Sequence, residues 1–250
     1  MKLCLHIQGL RLPILAIAAA SLAFGQGYKT PRNWYDQPDL QGIWEVANPK
    51  AAADIEAAKI IVDPKNGKLP YLKEALAKKS ANKKAAATED PVNKCFMPGV
   101  PRLMYMGYPF QIFETKDQVV ITSEYVHNVR NIWTARKEHL DGLEFWNGDS
   151  IGRWDGDSLV VDVADFNGDT WFDKAGNHHS NELKVTEKFT RTGAETMTYE
   201  ATITDPKTFS APFTIRVPFK LNTKPNARIM EYECHAIREH EQLYGSGAKK

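Results

Sequence analysis

The chain has 250 residues, of which 42% are hydrophobic and 25% charged, and its formal net charge is +1 at pH 7. A chain of this length can bury a substantial core within one domain of ordinary size. Because the net charge is close to zero, there is no electrostatic reason to expect nucleic acid or an anionic membrane as a partner.

Residues 1–25 have the pattern of a secretory signal peptide. Lys2 and Arg11 carry positive charge, the apolar run 12–24 follows, and small residues occupy the −3 and −1 positions of a cleavage site. A membrane anchor is the alternative, but the run is short for a bilayer and no second apolar segment follows. We therefore expect a periplasmic or secreted protein without a membrane anchor. Cleavage changes the net charge from +1 to −1, since both charges removed are positive.

The first part of the mature chain combines one strand with a helical insertion. Residues 39–46 suit a first barrel strand, with a glycine for a bend and Trp44 to close one end. Residues 50–88 are rich in alanine, lysine and glutamate, and 71–84 are good helix formers. We predict one or two short helices inserted after the first strand. A lysine cluster there favours a solvated helix face over a site for an anionic partner.

From residue 91 onward, short runs rich in β-branched and aromatic side chains predominate. The expected strands are 111–115, 118–124, 129–134, 150–154, 158–163, 183–191, 196–205, 213–221 and 228–235. Asp155-Gly156 is a strong hairpin turn, and residues 196–205 alternate with period two, as a strand with one buried face does. The pattern predicts a mainly β fold, an antiparallel meander barrel or a strongly curved sheet. It forms a single domain at 26–244, followed by a flexible tail at 245–250.

Two cysteines, Cys95 and Cys234, remain after cleavage. In an oxidising compartment they most simply form one disulfide, which would close a loop of about 140 residues. Two free thiols are the alternative. Since the pair lacks a CxxC spacing, it makes a weak case for zinc binding or redox catalysis.

Five residues are candidates for chemistry or direct ligand binding. His127 and His179 could exchange protons with a substrate, because histidine titrates near physiological pH. Asp173 and Glu187 could orient an imidazole, and the guanidinium of Arg130 could hold an anion. The structural alternative is that these groups form a satisfied polar network that closes the barrel.

Aromatic side chains could stack on a sugar or another flat ligand. We expect Tyr125, Trp146, Trp154 and Trp171 to contact a substrate together with Arg130. Each of these rings could equally belong to the barrel core, which is the more common role of a single buried ring.

Metal binding is a separate possibility that the spacing does not favour. His178, His179 and Asp173 are suitable ligand types for zinc, but neither an HxH nor an HExxH spacing is present. Residues 167–173 offer oxygen ligands without the EF-hand pattern, so an Asx-rich turn is the better interpretation. A serine nucleophile is also a weak reading, because no Gly-x-Ser-x-Gly motif is present. We therefore expect neither a metal nor another cofactor.

A set of short motifs extends along the chain between about residues 36 and 236. It comprises Asp90-Pro91, Cys95, 98–102, 108–112, Glu124-Tyr125, His127, Arg130, 150–154, Gly156-Asp157, 159–162, Phe166-Asn167, Trp171, Asp173, Gly176, His179-Ser180, Glu187, Glu231-Tyr232 and Cys234. Through these motifs the chain resembles exported, lipocalin-like (calycin-type) β-barrel proteins of environmental bacteria, and the Gly-Arg-Trp run at 152–154 is the most specific of them. The resemblance implies export, one barrel and a central cavity, but no settled activity.

Two positions depart from the pattern of these relatives. Asp149 stands where relatives often carry a histidine, which puts a catalytic role for that position in doubt. His179 matches a histidine of the relatives, and His178 is an additional one.

We expect an exported enzyme that uses cofactor-independent acid–base chemistry on a small organic or sugar-derived substrate, such as a lyase, dehydratase or isomerase. A non-catalytic periplasmic binding protein for an apolar, aromatic or sugar-derived ligand is the first alternative. A structural protein of the cell envelope is the second.

Overall fold

A computed structural model describes residues 28–245 of the chain. The predicted signal peptide at 1–25 and residues 246–250 of the predicted tail lie outside the described residues. The elements are β1 (Gly42–Val46), β2 (Ile61–Asp63), α1 (Ala75–Glu89), β3 (Phe110–Glu114), β4 (Gln118–Ser123), β5 (Val129–Trp133), β6 (Asp149–Asp155), β7 (Ser158–Ala164), β8 (Lys184–Gly193), β9 (Thr196–Thr204), β10 (Phe213–Leu221) and α2 (Cys234–Tyr244), with three short 3-10 helices between them.

Nine of the strands close into a barrel. They follow the order β1-β3-β4-β5-β6-β7-β8-β9-β10, and β10 pairs with β1 to complete the ring. The short strand β2 pairs with the first residues of β10, while β1 pairs with its last residues. Buried and exposed residues alternate along β9 and β10, as the period-two pattern predicts. The prediction of a mainly β barrel is therefore confirmed.

The prediction of a wholly antiparallel barrel is wrong at one place, because β5 and β6 pair in parallel, at Trp133 and Ile151. The connection 134–148 carries the chain back along the barrel before β6 begins. A parallel pair needs a crossover of this kind, roughly a dozen residues or more, whereas a tight turn joins antiparallel neighbours. The barrel is thus of mixed type.

The two helices agree with the sequence in part. The helix expected at 71–84 is α1, at Ala75–Glu89, and it follows both β1 and β2. The strand expected at 228–235 is wrong, because residues 234–244 form α2 instead. This segment is rich in alanine, glutamate, arginine, glutamine and leucine, which are good helix formers. Within residues 28–245, no helix is both long and apolar enough to cross a bilayer.

The expected disulfide joins Cys95 and Cys234, whose Cα atoms are 5.5 Å apart. Cys95 follows α1 and a short 3-10 helix, and Cys234 begins α2. The bond therefore attaches α2 to the loop that precedes β3. The sequence pattern had placed Cys234 in the strand expected at 228–235.

The barrel interior is packed with aromatic side chains. Trp44, Phe110, Phe189, Tyr199 and Phe219 are each at most 2% exposed. The ring centroids of Phe110 and Phe219 are 5.0 Å apart, and those of Phe189 and Tyr199 are 4.9 Å apart. Burying one such side chain contributes about 1.5–3 kcal/mol. These rings fill the barrel interior, where the resemblance implies a central cavity. A ligand site is therefore expected nearer the barrel wall.

Candidate functional site

The candidate site is a cleft in the barrel wall, referred to below as the β5–β6 cleft. Since β5 and β6 are paired only at Trp133 and Ile151, the segment 145–150 diverges from the start of β5 and leaves a gap. The cleft has a volume of about 360 Å³, within the range of roughly 300–1,000 Å³ that small-molecule pockets occupy. Its walls include Trp133, Phe145, Trp146, Arg130, Glu144, Asn147, Asp149 and Ser150.

Arg130 borders the cleft from the inside of the barrel. Its Nη1 donates to Glu187 Oε1 at 3.0 Å, and its Nη2 donates to Glu187 Oε2. Ser150 Oγ accepts from Arg130 Nε at 3.1 Å and from Nη2 at 3.0 Å. The Tyr199 hydroxyl donates to Glu187 Oε1 at 2.7 Å, and burial raises the pKa of this tyrosine well above its usual value. All four residues are buried, so the carboxylate of Glu187 is fully occupied by protein donors.

Asp149 forms a second polar group at the rim of the cleft. Arg136 donates to its carboxylate, the backbone N–H of Leu140 lies 3.3 Å from Oδ2, and His139 Nδ1 lies 3.0 Å from the same oxygen. Burial acts to raise the pKa of Asp149, but the hydrogen bonds from Arg136 and His139 outweigh it and lower the pKa below its usual value. An ionised carboxylate only accepts hydrogen bonds, so His139 Nδ1 carries its proton here.

Two buried asparagines face each other behind the cleft wall. Asn147 Nδ2 donates to Asn128 Oδ1 at 3.0 Å and lies 3.8 Å from the sulfur of Met97. Asn147 is 8% exposed and Asn128 is 0% exposed. Within residues 28–245, Asn147 Oδ1 and Asn128 Nδ2 have no hydrogen-bond partner, which is costly for buried polar atoms.

His179 lies in the loop between β7 and β8, away from the cleft lining. Its Nδ1 donates to the backbone oxygen of Ser180 at 2.8 Å, so its Nε2 accepts from the Thr170 hydroxyl at 2.6 Å. Burial lowers the pKa of His179 from 6.5 to about 4. The imidazole is therefore neutral at pH 7, and both of its nitrogens are engaged by the protein.

Asp173 organises the same loop through three hydrogen bonds. Its Oδ2 accepts from the backbone N–H of Ile55 at 2.9 Å and from Asn177 Nδ2 at 2.6 Å. Its Oδ1 accepts from the backbone N–H of Asn177 at 3.2 Å. Burial raises the pKa of Asp173 despite these bonds. Asp173 therefore ties the β7–β8 loop to the segment after β1 and does not contact His179 in any of these bonds.

His127 lies on the surface, in the turn between β4 and β5. Its backbone has a φ of 49°, in the left-handed region, and its side chain is 46% exposed. The imidazole contacts Glu233, the residue before α2. Arg130 faces the barrel interior, whereas His127 lies outside it.

The predicted aromatic contacts are divided among different places. Trp146 lines the cleft and packs against Phe96, with ring centroids 5.0 Å apart. Tyr125 is buried and donates to the backbone oxygen of Val92 at 2.7 Å. Trp154 packs against the barrel core, and Trp171 pairs through its backbone with His178 in the β7–β8 loop. The cleft therefore includes Trp146 and Arg130 from the predicted binding set, but not the other three rings.

The structure does not bring the five predicted residues together. Arg130 and Glu187 contact each other inside the barrel. Asp173 and His179 serve the β7–β8 loop, and His127 lies on the surface. The alternative interpretation, a satisfied polar network, describes the first four better than a shared catalytic site does.

Sequence reasoning missed four residues at or beside the cleft: Asn128, Asn147, Arg136 and His139. The two asparagines meet only because β5 and β6 run parallel, which the strand pattern did not predict. Arg136 and His139 lie in the 134–148 connection. That connection is longer than an ordinary hairpin loop, and its length was the one available signal of a functional segment.

The residues predicted as possible zinc ligands are engaged in other bonds. Both nitrogens of His179 are hydrogen bonded, His178 Nε2 lies 3.1 Å from the backbone oxygen of Ala75, and Asp173 accepts three hydrogen bonds. At the possible calcium segment, Asn167 Oδ1 accepts from the backbone N–H of Asp169 at 3.1 Å, an Asx turn.

One other group of possible metal ligands lies beside the cleft. His139, Asp149 and Asp165 have ligand atoms within 4.8 Å of one another. However, Arg136 contacts both carboxylate oxygens of Asp149. A cationic side chain therefore already occupies the position next to this carboxylate.

The chain was compared with protein-family models and with curated proteins, and neither comparison found a match.

Proposed function

We propose that the protein binds a small organic molecule in the β5–β6 cleft. The composition of the cleft carries the proposal: a volume of about 360 Å³ lined by both aromatic and polar side chains. Apolar surface combined with a few fixed polar groups is typical of small-molecule sites. Export remains part of the proposal, and the disulfide supports it because such bonds persist in oxidising compartments.

The contacts favour binding over the acid–base mechanism that the sequence suggested. A general base needs a free lone pair within reach of the substrate. Glu187 and Asp149 are held by Arg130 and Arg136, and His179 has both nitrogens engaged. These groups therefore serve as structural hydrogen-bonding partners rather than as a general base.

Acid–base catalysis in the same cleft is a second candidate, with a different histidine. Asp149 lines the cleft and orients His139 through a 3.0 Å hydrogen bond to Nδ1. A carboxylate that fixes the tautomer of a neighbouring imidazole makes its other nitrogen available as a base.

Tryptophan fluorescence and mass spectrometry test these proposals. A library of neutral and charged metabolites is titrated into the purified chain, into Trp146→Ala and into Trp34→Ala, whose side chain is 99% exposed. We expect Trp146→Ala to weaken binding at least ten-fold and Trp34→Ala to leave it unchanged. Ligands bound equally well by Trp146→Ala would contradict the proposed site.

The fate of the bound molecule separates binding from catalysis. After incubation, an unchanged mass supports a binding protein, whereas conversion that His139→Ala abolishes supports catalysis. Conversion that persists in His139→Ala would contradict the second candidate.

A further inference from the structure

We propose that the ligand of the β5–β6 cleft is a neutral molecule that carries hydroxyl groups beside a flat apolar face, as sugars and hydroxylated ring compounds do. The inference rests on the proposed function and narrows it to one chemical class. Four features of the cleft lead to it: an unpaired acceptor, spare donors, an excess of negative charge, and partly exposed aromatic rings.

The unpaired acceptor is Asn147 Oδ1. The Nδ2 group of this amide is committed to Asn128 Oδ1 at 3.0 Å, with Met97 Sδ at 3.8 Å. With the amide in this orientation, Oδ1 is buried and has no hydrogen-bond partner among the described residues, and Asn147 lines the cleft. A ligand that donates a hydrogen bond at this point satisfies the orphaned oxygen, and a carboxylate or an ether cannot donate.

The spare donors lie on Ser150 and Arg130. Ser150 Oγ accepts two hydrogen bonds from Arg130, and its own proton is free to point elsewhere. Arg130 Nη1 uses one of its two protons on Glu187 Oε1. The cleft thus presents both an acceptor and donors, and a hydroxyl group can both donate and accept.

The charge balance argues against an anionic ligand. Arg130 and Arg136 carry two positive charges in and beside the cleft. Glu144, Asp149, Asp165 and Glu187 carry four negative charges there. The excess of negative charge repels a carboxylate or phosphate.

Two partly exposed tryptophan rings in the cleft suit the flat face of a ligand ring. Trp146 packs on Phe96, Trp133 is 39% exposed, and both tryptophans line the cleft. Partly exposed rings of this kind offer a stacking surface for a sugar or an aromatic ring.

Three probes that share a phenyl ring test the inference: phenyl glucoside, which is neutral and hydroxylated; anisole, which is neutral without a hydroxyl group; and benzoate, an anion. Their dissociation constants are measured by calorimetry and saturation-transfer NMR with the wild-type chain. We expect phenyl glucoside to bind at least ten-fold tighter than either other probe. Anisole or benzoate binding as tightly as phenyl glucoside would overturn the ligand class and leave the proposed function standing. Failure of all three probes to bind would also overturn the ligand class, whereas the proposed function fails only if no ligand of the metabolite library loses affinity in Trp146→Ala.

Variants then locate the recognition at Asn147. In Asn147→Leu and Asn147→Ser we expect the preference for phenyl glucoside over anisole to fall at least five-fold, while anisole binding stays within two-fold of wild type. Asn222→Leu is the matched control, because Asn222 bonds to Glu45 and does not line the cleft. Unfolding temperatures verify that each variant is folded. An unchanged preference in both Asn147 variants would contradict the role of this amide.

Discussion

Arg130 and Glu187 form an ion pair across the barrel interior, between β5 and β8, two strands that are not neighbours in the sheet. Their side chains are 2% and 0% exposed. Ser150 and Tyr199 also form hydrogen bonds with the pair, so four strands meet in one polar cluster directly behind the β5–β6 cleft. The cluster links the packing of the barrel to the shape of its candidate site.

Removing one member of this pair is expected to destabilise the protein strongly. Glu187→Ala leaves the Arg130 guanidinium buried without its partner, and such losses cost about 3–5 kcal/mol. Urea unfolding of wild type and variant measures the difference. The double variant Arg130→Met/Glu187→Leu, which leaves no buried charge, should recover at least half of the loss. A single-variant cost below about 1 kcal/mol would contradict a buried, desolvated pair.

The buried neutral state of His179 predicts a pH-dependent stability. Burial lowers its pKa from 6.5 to about 4 in the folded chain, so the unfolded chain takes up a proton first as the pH falls. The contribution is fully present above pH 6.5 and is lost progressively down to about pH 4, by about 3 kcal/mol in all. The free energy of unfolding, measured from pH 8 to pH 4, reports this loss.

A variant isolates the histidine from the other titrating groups. Because His179→Gln cannot take up a proton, its stability should fall less than that of wild type between pH 6.5 and pH 4. Trp34→Ala, at a site that is 99% exposed, serves as the control and should follow the wild-type curve. Parallel curves for His179→Gln and wild type would contradict the buried neutral imidazole.

Local sequence patterns predicted most of the strands but did not predict where the candidate site lies. The hairpin at Asp155-Gly156 and the alternation of β9 both follow from side-chain direction and turn chemistry, which are local properties. The parallel pairing of β5 and β6 depends on how the 134–148 connection folds back, which no local rule specifies. The cleft exists because of that pairing, so its position was not predictable even though Arg130 and Trp146 were named.

In several cases residue type indicated a catalytic group where the structure shows hydrogen bonds within the protein. His179 and Asp173 are polar groups in an aromatic setting, as a catalytic site would be, but Thr170, Ser180, Ile55 and Asn177 occupy their hydrogen-bonding atoms. Those partners come from contacts distant in sequence or from turns, and a single sequence does not reveal them. Catalytic and structural polar clusters therefore look alike at the level of composition.

The disulfide should contribute strongly to stability. Cys95 and Cys234 are separated by 139 residues. In the chain-entropy model, a loop of this length stabilises the folded state by about 4–5 kcal/mol. We expect Cys95→Ala/Cys234→Ala to lose about that amount in urea unfolding. A reducing agent should lower the stability of wild type to a similar degree and leave the double variant unchanged.

The close approach of Gly176 to α1 provides the last prediction. A Cβ atom at Gly176 would lie 2.5 Å from the backbone nitrogen of Lys83 and 2.6 Å from the backbone oxygen of Lys79. Gly156 has a similar left-handed backbone, with φ of 57° against 84°, but nothing within 4 Å of its added Cβ. Alanine at either position has to adopt a left-handed backbone conformation, which destabilises the folded chain by roughly 1 kcal/mol. Only at Gly176 must a helix also move.

We therefore expect Gly156→Ala to cost about 1 kcal/mol and Gly176→Ala at least about 2 kcal/mol more. Hydrogen exchange adds a second measurement, since displacement of α1 from the β7–β8 loop should speed exchange in residues 75–89 only in Gly176→Ala. That loop also holds α1 through His178 Nε2, 3.1 Å from the oxygen of Ala75, so the loss of protection should begin at the first turn of the helix. Equal stability costs for the two variants, together with unchanged exchange in α1, would contradict this prediction. They would show that α1 can shift without a cost in stability and that the β7–β8 loop does not fix the position of the helix.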